Sequence, residues 1–423
     1  MLYLTLTGRN DWASQLANSS TSSFFYPSVG LSGVISEMIQ MPSFIDYMKV
    51  RGSFSSVGMP YPRNLTSPTY EYNEATQSWK PKTHYPIGDL KPERTDSWEV
   101  GLDMKLFKDF NLGLSWYLAN TFNQTFDPQI SVSSGYTTIY LQTGYVRNTG
   151  LELSLGYGHT WNNNFRWDSN FTLSHNKNKI KELVRDYVHP ETGELINKDR
   201  LDVGGLGKAR FILKEGGTLG DLYTQSDLKR DDNGMVDIDP TGIVAIENNL
   251  PDIKLGSVFP KANLAWSNHF SWKGISLSAL FTARIGGIVY SATEAAMDQY
   301  GVSERSALAR DNGGVLVNNR TLVDAQNYYT TIGSESGLPQ YYTYNATNVR
   351  LQEASIGYLI PRKWLGNVCD IQVSVIGRNL WMIYNKAPFD PESVATTDNY
   401  YQGIDYFMLP STRNIGFNVK INF

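Results

Sequence analysis

The chain alternates from its first residues. Leu2, Leu4 and Leu6 stand against Tyr3, Thr5 and Thr7, the two-residue period of a strand with unlike faces. Between Trp98 and Leu106 the apolar positions are Trp98, Val100, Leu102, Met104 and Leu106, separated by Glu99, Gly101, Asp103 and Lys105. After Phe107-Lys108-Asp109 the pattern resumes as Phe110, Leu112, Leu114, Trp116 and Leu118 against Asn111, Gly113, Ser115 and Tyr117. This predicts a hairpin with one wholly apolar face. Two more hairpins pair residues 151–157 with 165–173 across a WNNN turn, and 262–270 with 275–285 across a turn at 271–274. At the end Ile415, Phe417, Val419, Ile421 and Phe423 alternate with Asn414, Gly416, Asn418, Lys420 and Asn422.

The whole pattern predicts about twelve strands, near 2–8, 24–34, 47–58, 95–106, 110–121, 146–160, 164–176, 259–270, 274–286, 348–360, 371–380 and 411–423. If the last strand runs toward a periplasm, the turns at 107–109, 161–164, 271–274 and 361–370 all fall on that side. The long connections 59–94, 119–145, 177–258, 287–347 and 381–410 then fall on the other. Short turns on one side and long loops on the opposite side are the asymmetry of an outer-membrane barrel. Further hairpins are expected inside the long segments, for example near 219–227.

A soluble β-sandwich also alternates, and its core would bury Trp98, Leu102, Trp116 and Phe417. Its turns repeat at about 8–12 residues, unlike the spacing here. The non-apolar face, moreover, carries Gly, Ser, Asn, Glu, Lys and Asp, which suits a polar lumen behind a lipid-facing exterior. For residues 274–292 a single transmembrane helix is the competing reading. Arg284 and Gly286-Gly287 interrupt it, and an Arg in a helix core costs about 2.5–3.5 kcal/mol on insertion scales.

Composition narrows the class. A chain of 423 residues would ordinarily hold two or three soluble domains. Mean hydropathy is −0.34, and no charge-free apolar stretch of about 18 residues exists, which excludes a helical membrane protein. The 13% aromatic content excludes a disordered chain. A single cysteine, Cys369, excludes a disulfide scaffold and a cysteine metal site. Net charge of −4 gives no reason to expect nucleic acid. The N-terminus lacks a basic segment followed by an apolar run and a cleavage site; it begins inside a strand, which predicts a fragment.

No catalytic signature is present: neither G-x-S-x-G, nor H-E-x-x-H, nor C-x-x-C. GGLGKAR (204–210) lacks the first glycine and the final Ser or Thr of a phosphate loop. In DLKRDDNGMVDID (227–239), Gly234 at the sixth position of a calcium loop would place Lys229 first and Pro240 twelfth, which fails the EF-hand pattern; a solvated Asn-Gly turn is expected instead. Histidines 84, 159, 175, 189 and 269 have no ligand spacing. No cofactor is expected. The external segments NLWMIYNKAPFDPE (379–392) and NYYQGIDYF (399–407) are rich in residues that stack and hydrogen-bond. These either contact a sugar or peptide, or form an aromatic girdle and pack the loops.

Several segments, LKPERTDSWEVGLDM (90–104), RNTGLELSLGY (147–157), RIGGIVYSAT (284–293), ATNVRLQEASIGYLIP (346–361), SVIGRNLWMIYNKAPFDPE (374–392) and NIGFNVKINF (414–423), resemble the SusC/RagA-like family of TonB-dependent outer-membrane transporters of Bacteroidota. LTGRNDW (6–12) also resembles a strand of that family. The resemblance implies an all-β antiparallel transmembrane barrel, of which 1–423 is the C-terminal part, about 12 of 22 strands, with plug, N-terminal extension and signal peptide absent. It implies import of oligosaccharides across the bacterial outer membrane, TonB acting through the missing plug, a SusD-like lipoprotein lid and no enzyme activity. Phe423 is similar to the terminal aromatic read by the barrel assembly machinery. Trp381, Tyr384, Tyr400 and Tyr401 are candidate substrate or lid contacts.

A half-barrel leaves two edges whose unpaired backbone groups would face lipid. The sequence is therefore expected to be a piece of a longer protein with Met1 internal, a gene remnant, or a self-standing twelve-stranded barrel.

Overall fold

The computed structural model describes residues 1–16, 19–59, 70–80, 85, 90–126, 133, 135–162, 164–188, 193, 195–334, 337–366, 368–396 and 401–422. Twelve strands form one sheet in sequence order: β1 (Leu2–Trp12), β2 (Ser23–Val34), β3 (Ile45–Met59), β4 (Glu93–Leu106), β5 (Phe110–Phe126), β6 (Leu141–Thr160), β7 (Arg166–Glu182), β8 (Ala262–Trp272), β9 (Ile275–Ile285), β10 (Asn348–Ile360), β11 (Asp370–Asn385) and β12 (Asn414–Asn422). Every neighbouring pair is antiparallel. Among the described residues β1 and β12 have a neighbour on one side only.

The turns and loops sort as the alternation predicts. Lys273 and Gly274 both take positive φ, 48° and 87°, the two-residue turn whose twist matches a hairpin. Residues 274–292 hold β9 and the strand Ile288–Ser291 rather than a spanning helix. No described helix is long and apolar enough to cross a membrane.

One face of the sheet is apolar and open. Trp98 is 54% exposed, Trp116 42% and Phe417 82%, and Leu102 is half-buried. A sandwich would bury these residues, so that reading fails. At the short-turn end of this face the rings form a belt: Phe44–Phe107, Phe107–Phe110, Phe110–Tyr157, Tyr157–Trp167 and Trp167–Phe270, with centroids 4.7–6.5 Å apart. Polar groups on the apolar face pair with each other. Trp167 Nε1 donates to Asn268 at 3.1 Å and Trp266 Nε1 to Ser169 at 3.0 Å.

The buried core lies in the long connections. Residues 183–261 hold a four-stranded sheet (Arg200–Leu206, Ala209–Lys214, Asp221–Thr224, Ile253–Ser257). Residues 286–347 hold helices α1 (Ala292–Gln299), α2 (Glu304–Asp311) and α3 (Ala325–Gly333). Ser291, Ser303 and Asp324 cap these helices by accepting backbone N–H groups at 3.0–3.1 Å. One apolar cluster, including Phe211, Leu222, Val258, Tyr290, Ile332 and Tyr342, joins the two connections and reaches Ile404 in a third.

Several wall strands are longer than expected, β1 reaching Trp12 rather than 8 and β11 Asn385 rather than 380, and three neighbours extend together. β5 runs to Phe126 rather than 121, β6 starts at Leu141 rather than 146, and β7 runs to Glu182 rather than 176. In these extensions the polarity reverses. Val146 and Ile180 pair on the face covered by the loop assembly and are buried with Leu213 and Leu219, while Lys177 and Lys179 on the opposite face are exposed. The strands continue where the apolar-outside rule stops.

In protein purified from membranes, Leu114→Arg on the apolar face should cost about 2–4 kcal/mol in lipid. The same change at Ser115, one residue along on the polar face, should cost far less. Denaturant unfolding in lipid vesicles measures both, and equal costs would contradict the assignment of faces.

Candidate functional site

The polar face carries a row of groups that the register lines up strand by strand. Ser32, Arg51, Gly101, Ser115, Glu152, Ser174, Asn263, Arg284, Asn348 and Asn385 are successive cross-strand partners from β2 to β11. Because directly paired residues share a face, none of these points into the apolar exterior. Arg51 is held by Asp103 at 2.8 Å, Glu99 at 3.1 Å and the Ser115 hydroxyl at 2.6 Å. Arg284 donates to the Val258 carbonyl at 2.7 Å. A cavity of about 710 Å³ lies over the row. Its lining combines the charged Arg51, Asp103, Glu152, Arg284 and Glu392 with neutral groups such as Ser154, Thr172, Asn263 and Gln352, whose hydroxyls and amides donate and accept.

A clamp ties the loops to the rim of this face. Arg350 of β10 reaches Asp390 through both terminal guanidinium nitrogens, at 2.8 and 3.1 Å, and Glu392 at 3.3 Å. Asn348 also bonds Glu392, at 3.2 Å. Burial pushes the Asp390 carboxyl up, but hydrogen bonds from Arg350, the Glu392 N–H and Ser411 outweigh it and hold the group below its usual range.

Above the rim, Asp298 organises the helices. Its buried carboxylate accepts from Ser303 at 2.5 Å, Arg305 at 2.8 Å and the Tyr342 hydroxyl at 2.9 Å, and the Arg305 guanidinium lies 4.8 Å from the centre of the Tyr342 ring. Burial, together with Asp298, pushes the Tyr342 hydroxyl upward, so it stays a donor. Asp252 plays a matching role in the four-stranded sheet. Arg200 at 2.6 Å and Lys214 at 3.0 Å bring it down to about 2.

The 227–239 segment is a turn, as expected. Asp231 spends one carboxylate oxygen on the N–H groups of Asn233 and Met235, and Asp239 repeats this on Thr241 and Ile243, all at 2.8–2.9 Å. Gly234 and Gly242 supply the positive φ. DDNGMV and DPTGIV are thus an eight-residue repeat that sequence reading passed over, although the Asp, Gly and Val spacing announced it. Among the described residues no group of three His, Cys, Asp or Glu side chains could hold a metal. GGLGKAR spans two paired strands with no helix behind it.

The candidate contact residues do not converge. Trp381 pairs with Leu351 and Tyr384 with Val349. Leu351 and Val349 pair in turn with Phe281 and Ala283 of the apolar face, so Trp381 and Tyr384 stand on the exterior at the long-loop end. Tyr401 lies in the loop assembly, its ring 6.1 Å from Phe211. Tyr400 and Phe423 lie outside the described residues. Arg51, Arg350 and Asp298 were not singled out from sequence, and Arg284 was read only as a charge that rules out a helix, although Arg51 and Arg284 announce themselves as charges at polar-face positions of predicted strands.

Residues 1–347 match the family model for the TonB dependent receptor-like β-barrel. The chain is 24% identical to TonB-dependent receptor P3 of Formosa agariphila, over 98% of this chain and 44% of the relative. It is also 24% identical to TonB-dependent receptor P26 of the same organism, over 99% and 44%. It therefore spans less than half the length of these curated relatives. Among solved structures, the RagAB peptide transporter superposes with a TM-score of 0.74 at 18% identity, over all of this chain and 46% of that one. At this identity the likeness is one of fold.

Asp252 has a depressed folded-state value, so its stabilisation is present above pH 4 and is lost as pH falls toward 2. The shift from 3.8 to about 2 corresponds to on the order of 2 kcal/mol. Asp252→Asn should remove it at neutral pH, with faster amide hydrogen exchange across 200–257 and an unchanged wall. Breaking the buried clamp with Arg350→Gln should cost about 3–5 kcal/mol and open residues 386–396 to protease.

Proposed function

This chain belongs to the TonB dependent receptor-like β-barrel family, and on that premise we propose that it forms the C-terminal part of the wall, with most of the external loops, of a TonB-dependent importer of oligosaccharides. The family is one of outer-membrane receptors and transporters rather than enzymes, and the exposed apolar face meets the lipid of that membrane. Plug, N-terminal extension and signal peptide belong, in this reading, to the part of the protein outside this sequence. TonB would act through that plug, and a SusD-like lipoprotein would cover the long-loop side.

The observation that carries the cargo class is the lining of the polar face. Most of its polar groups are neutral hydroxyls and amides. Of its charges, Arg51 is neutralised by Glu99 and Asp103, Glu392 faces Arg350 and Arg284 is spent on the Val258 carbonyl. This leaves Glu152 as an exposed carboxylate able to accept from sugar hydroxyls. Neutral donors and acceptors suit the hydroxyls of a sugar. A peptide would ask for free charges of both signs to meet its two termini, and the cations of this lining are already engaged. A peptide cargo is nevertheless the second reading, because the fold is shared with RagAB, a peptide transporter. We further assign Phe423 as the signal for barrel assembly. Trp381 and Tyr384 suit the membrane-edge aromatic belt, which leaves Tyr401, and Tyr400 beside it in sequence, as the proposed contacts to cargo or lid.

Deleting the gene should abolish uptake of fluorescent oligosaccharides while leaving peptide uptake intact, and the purified receptor should carry the lipoprotein with it. The reverse uptake pattern would replace glycan by peptide. No change in either would remove the import reading.

A further inference from the structure

We propose that the exterior of β4–β7, just beyond the lipid band on the long-loop side, binds the phosphates of a phosphorylated glycolipid of the outer leaflet. The proposal rests on the outer-membrane reading and adds a ligand that faces the membrane rather than the lumen. On each of these strands the apolar exterior run stops and a polar group follows. β4 passes from Trp98 to Asp96 and Arg94, β5 from Leu118 to Asn120 and Phe122, β6 from Leu151 to Thr149 and Arg147, and β7 from Leu173 to His175, Lys177 and Lys179. From Leu106 to Trp98 is about 27 Å along the strand. At a tilt of about 40° this is roughly 20 Å of membrane, close to the height of the apolar band in such barrels. The cations therefore begin at headgroup depth.

The register gathers them. Asn120, Arg147 and Lys179 are successive partners across β5, β6 and β7, and Thr149 pairs with Lys177. Their outward aim is fixed independently by the alternate residues, since Val146 and Ile180 are buried under the loops on the other face. Arg147 is held in place by Asn120 at 2.8 Å and Tyr145 at 2.5 Å, and Phe122 stacks on Tyr145 at 4.9 Å. Arg94 pairs with Asp96, and a second carboxylate, Glu182, stands at the upper edge of the patch opposite Tyr145. Lys177 and Lys179 are exposed and, among the described residues, have no ion-pair partner.

A fixed guanidinium and two free ammonium groups above a wall of Trp98, Leu118, Leu151 and Leu173 match a ligand with phosphates on a sugar and acyl chains below it. A soluble anion would use the cations and leave the apolar wall idle. A lid protein would approach from above rather than from the side.

The test uses the purified full-length receptor in phosphatidylcholine vesicles carrying bisphosphorylated lipid A, dephosphorylated lipid A or phosphatidylglycerol. Heat-modifiable migration first verifies insertion; its failure in the wild type would refute the membrane reading itself. With insertion intact, the wild type should retain bisphosphorylated lipid A through detergent extraction and native mass spectrometry. K177Q/K179Q should bind it about twenty-five-fold more weakly, at about fivefold per cation. Lys105→Gln, on the polar face, should bind as the wild type does. Equal binding by the double variant, or equal retention of dephosphorylated lipid A or phosphatidylglycerol, would overturn the proposal. So would full competition by millimolar inorganic phosphate.

Discussion

Lipid accepts no hydrogen bonds, so each strand of the wall must satisfy its N–H and C=O groups through its neighbours. From β2 to β11 every strand does so on both sides. Once that ladder is made, the register is fixed, and with it the face on which every side chain stands. The row from Arg51 to Arg284 is polar, and the Trp98 face apolar, because one parity was assigned once and carried across the sheet by backbone pairing. The aromatic belt and the lined cavity follow from the same constraint.

Above the lipid the ladder persists while the solvent on each side changes. On β6 and β7 the exterior turns cationic and the interior turns apolar, since Val146 and Ile180 now meet folded loops. The wall thus has two patterns stacked along the same strands. The loop assembly has its own core and its own buried hubs at Asp298 and Asp252, so it is a packed structure standing on the rim. The Arg350 clamp joins the two at the rim. Its neighbours Asn348 and Glu392 share the hydrogen bonding that makes a buried charge tolerable.

The membrane strands were legible because a two-residue period is all that a two-faced wall requires, and β4 and β5 match their predicted bounds closely within the lipid band. The extensions of β5–β7 were not, since reversed polarity erases the expected alternation without ending the strand. The loop helices left only local marks, such as Ser291 three residues before Glu294. What buries them is contact with segments a hundred residues away, as Ser291 Oγ donating to Asp405 shows. Candidate contacts were the least legible, because aromatic residues serve a lipid edge and a sugar equally well.

Trp381 and Tyr384 illustrate why parity must be counted through the bulges. Ile360, Tyr358, Ile356 and Ala354 lie on the exterior of β10, and unbroken alternation would send Gln352 and Arg350 there too. The register instead shifts between Leu351 and Glu353, so Leu351 and Val349 take the exterior and Arg350 turns inward to Asp390. A bulge that re-aims one side chain spares an Arg facing the lipid edge, a cost of about 0–1 kcal/mol at that depth, and gives the charge its carboxylate partners. The neighbouring strand must follow. β11 shifts at Asn379, whose φ is 52°, and again between Met382 and Tyr384, which keeps Met382 opposite Arg350 and sends both rings outside. The charge that anchors the loops and the rings that mark the membrane edge are therefore set by the same irregularity.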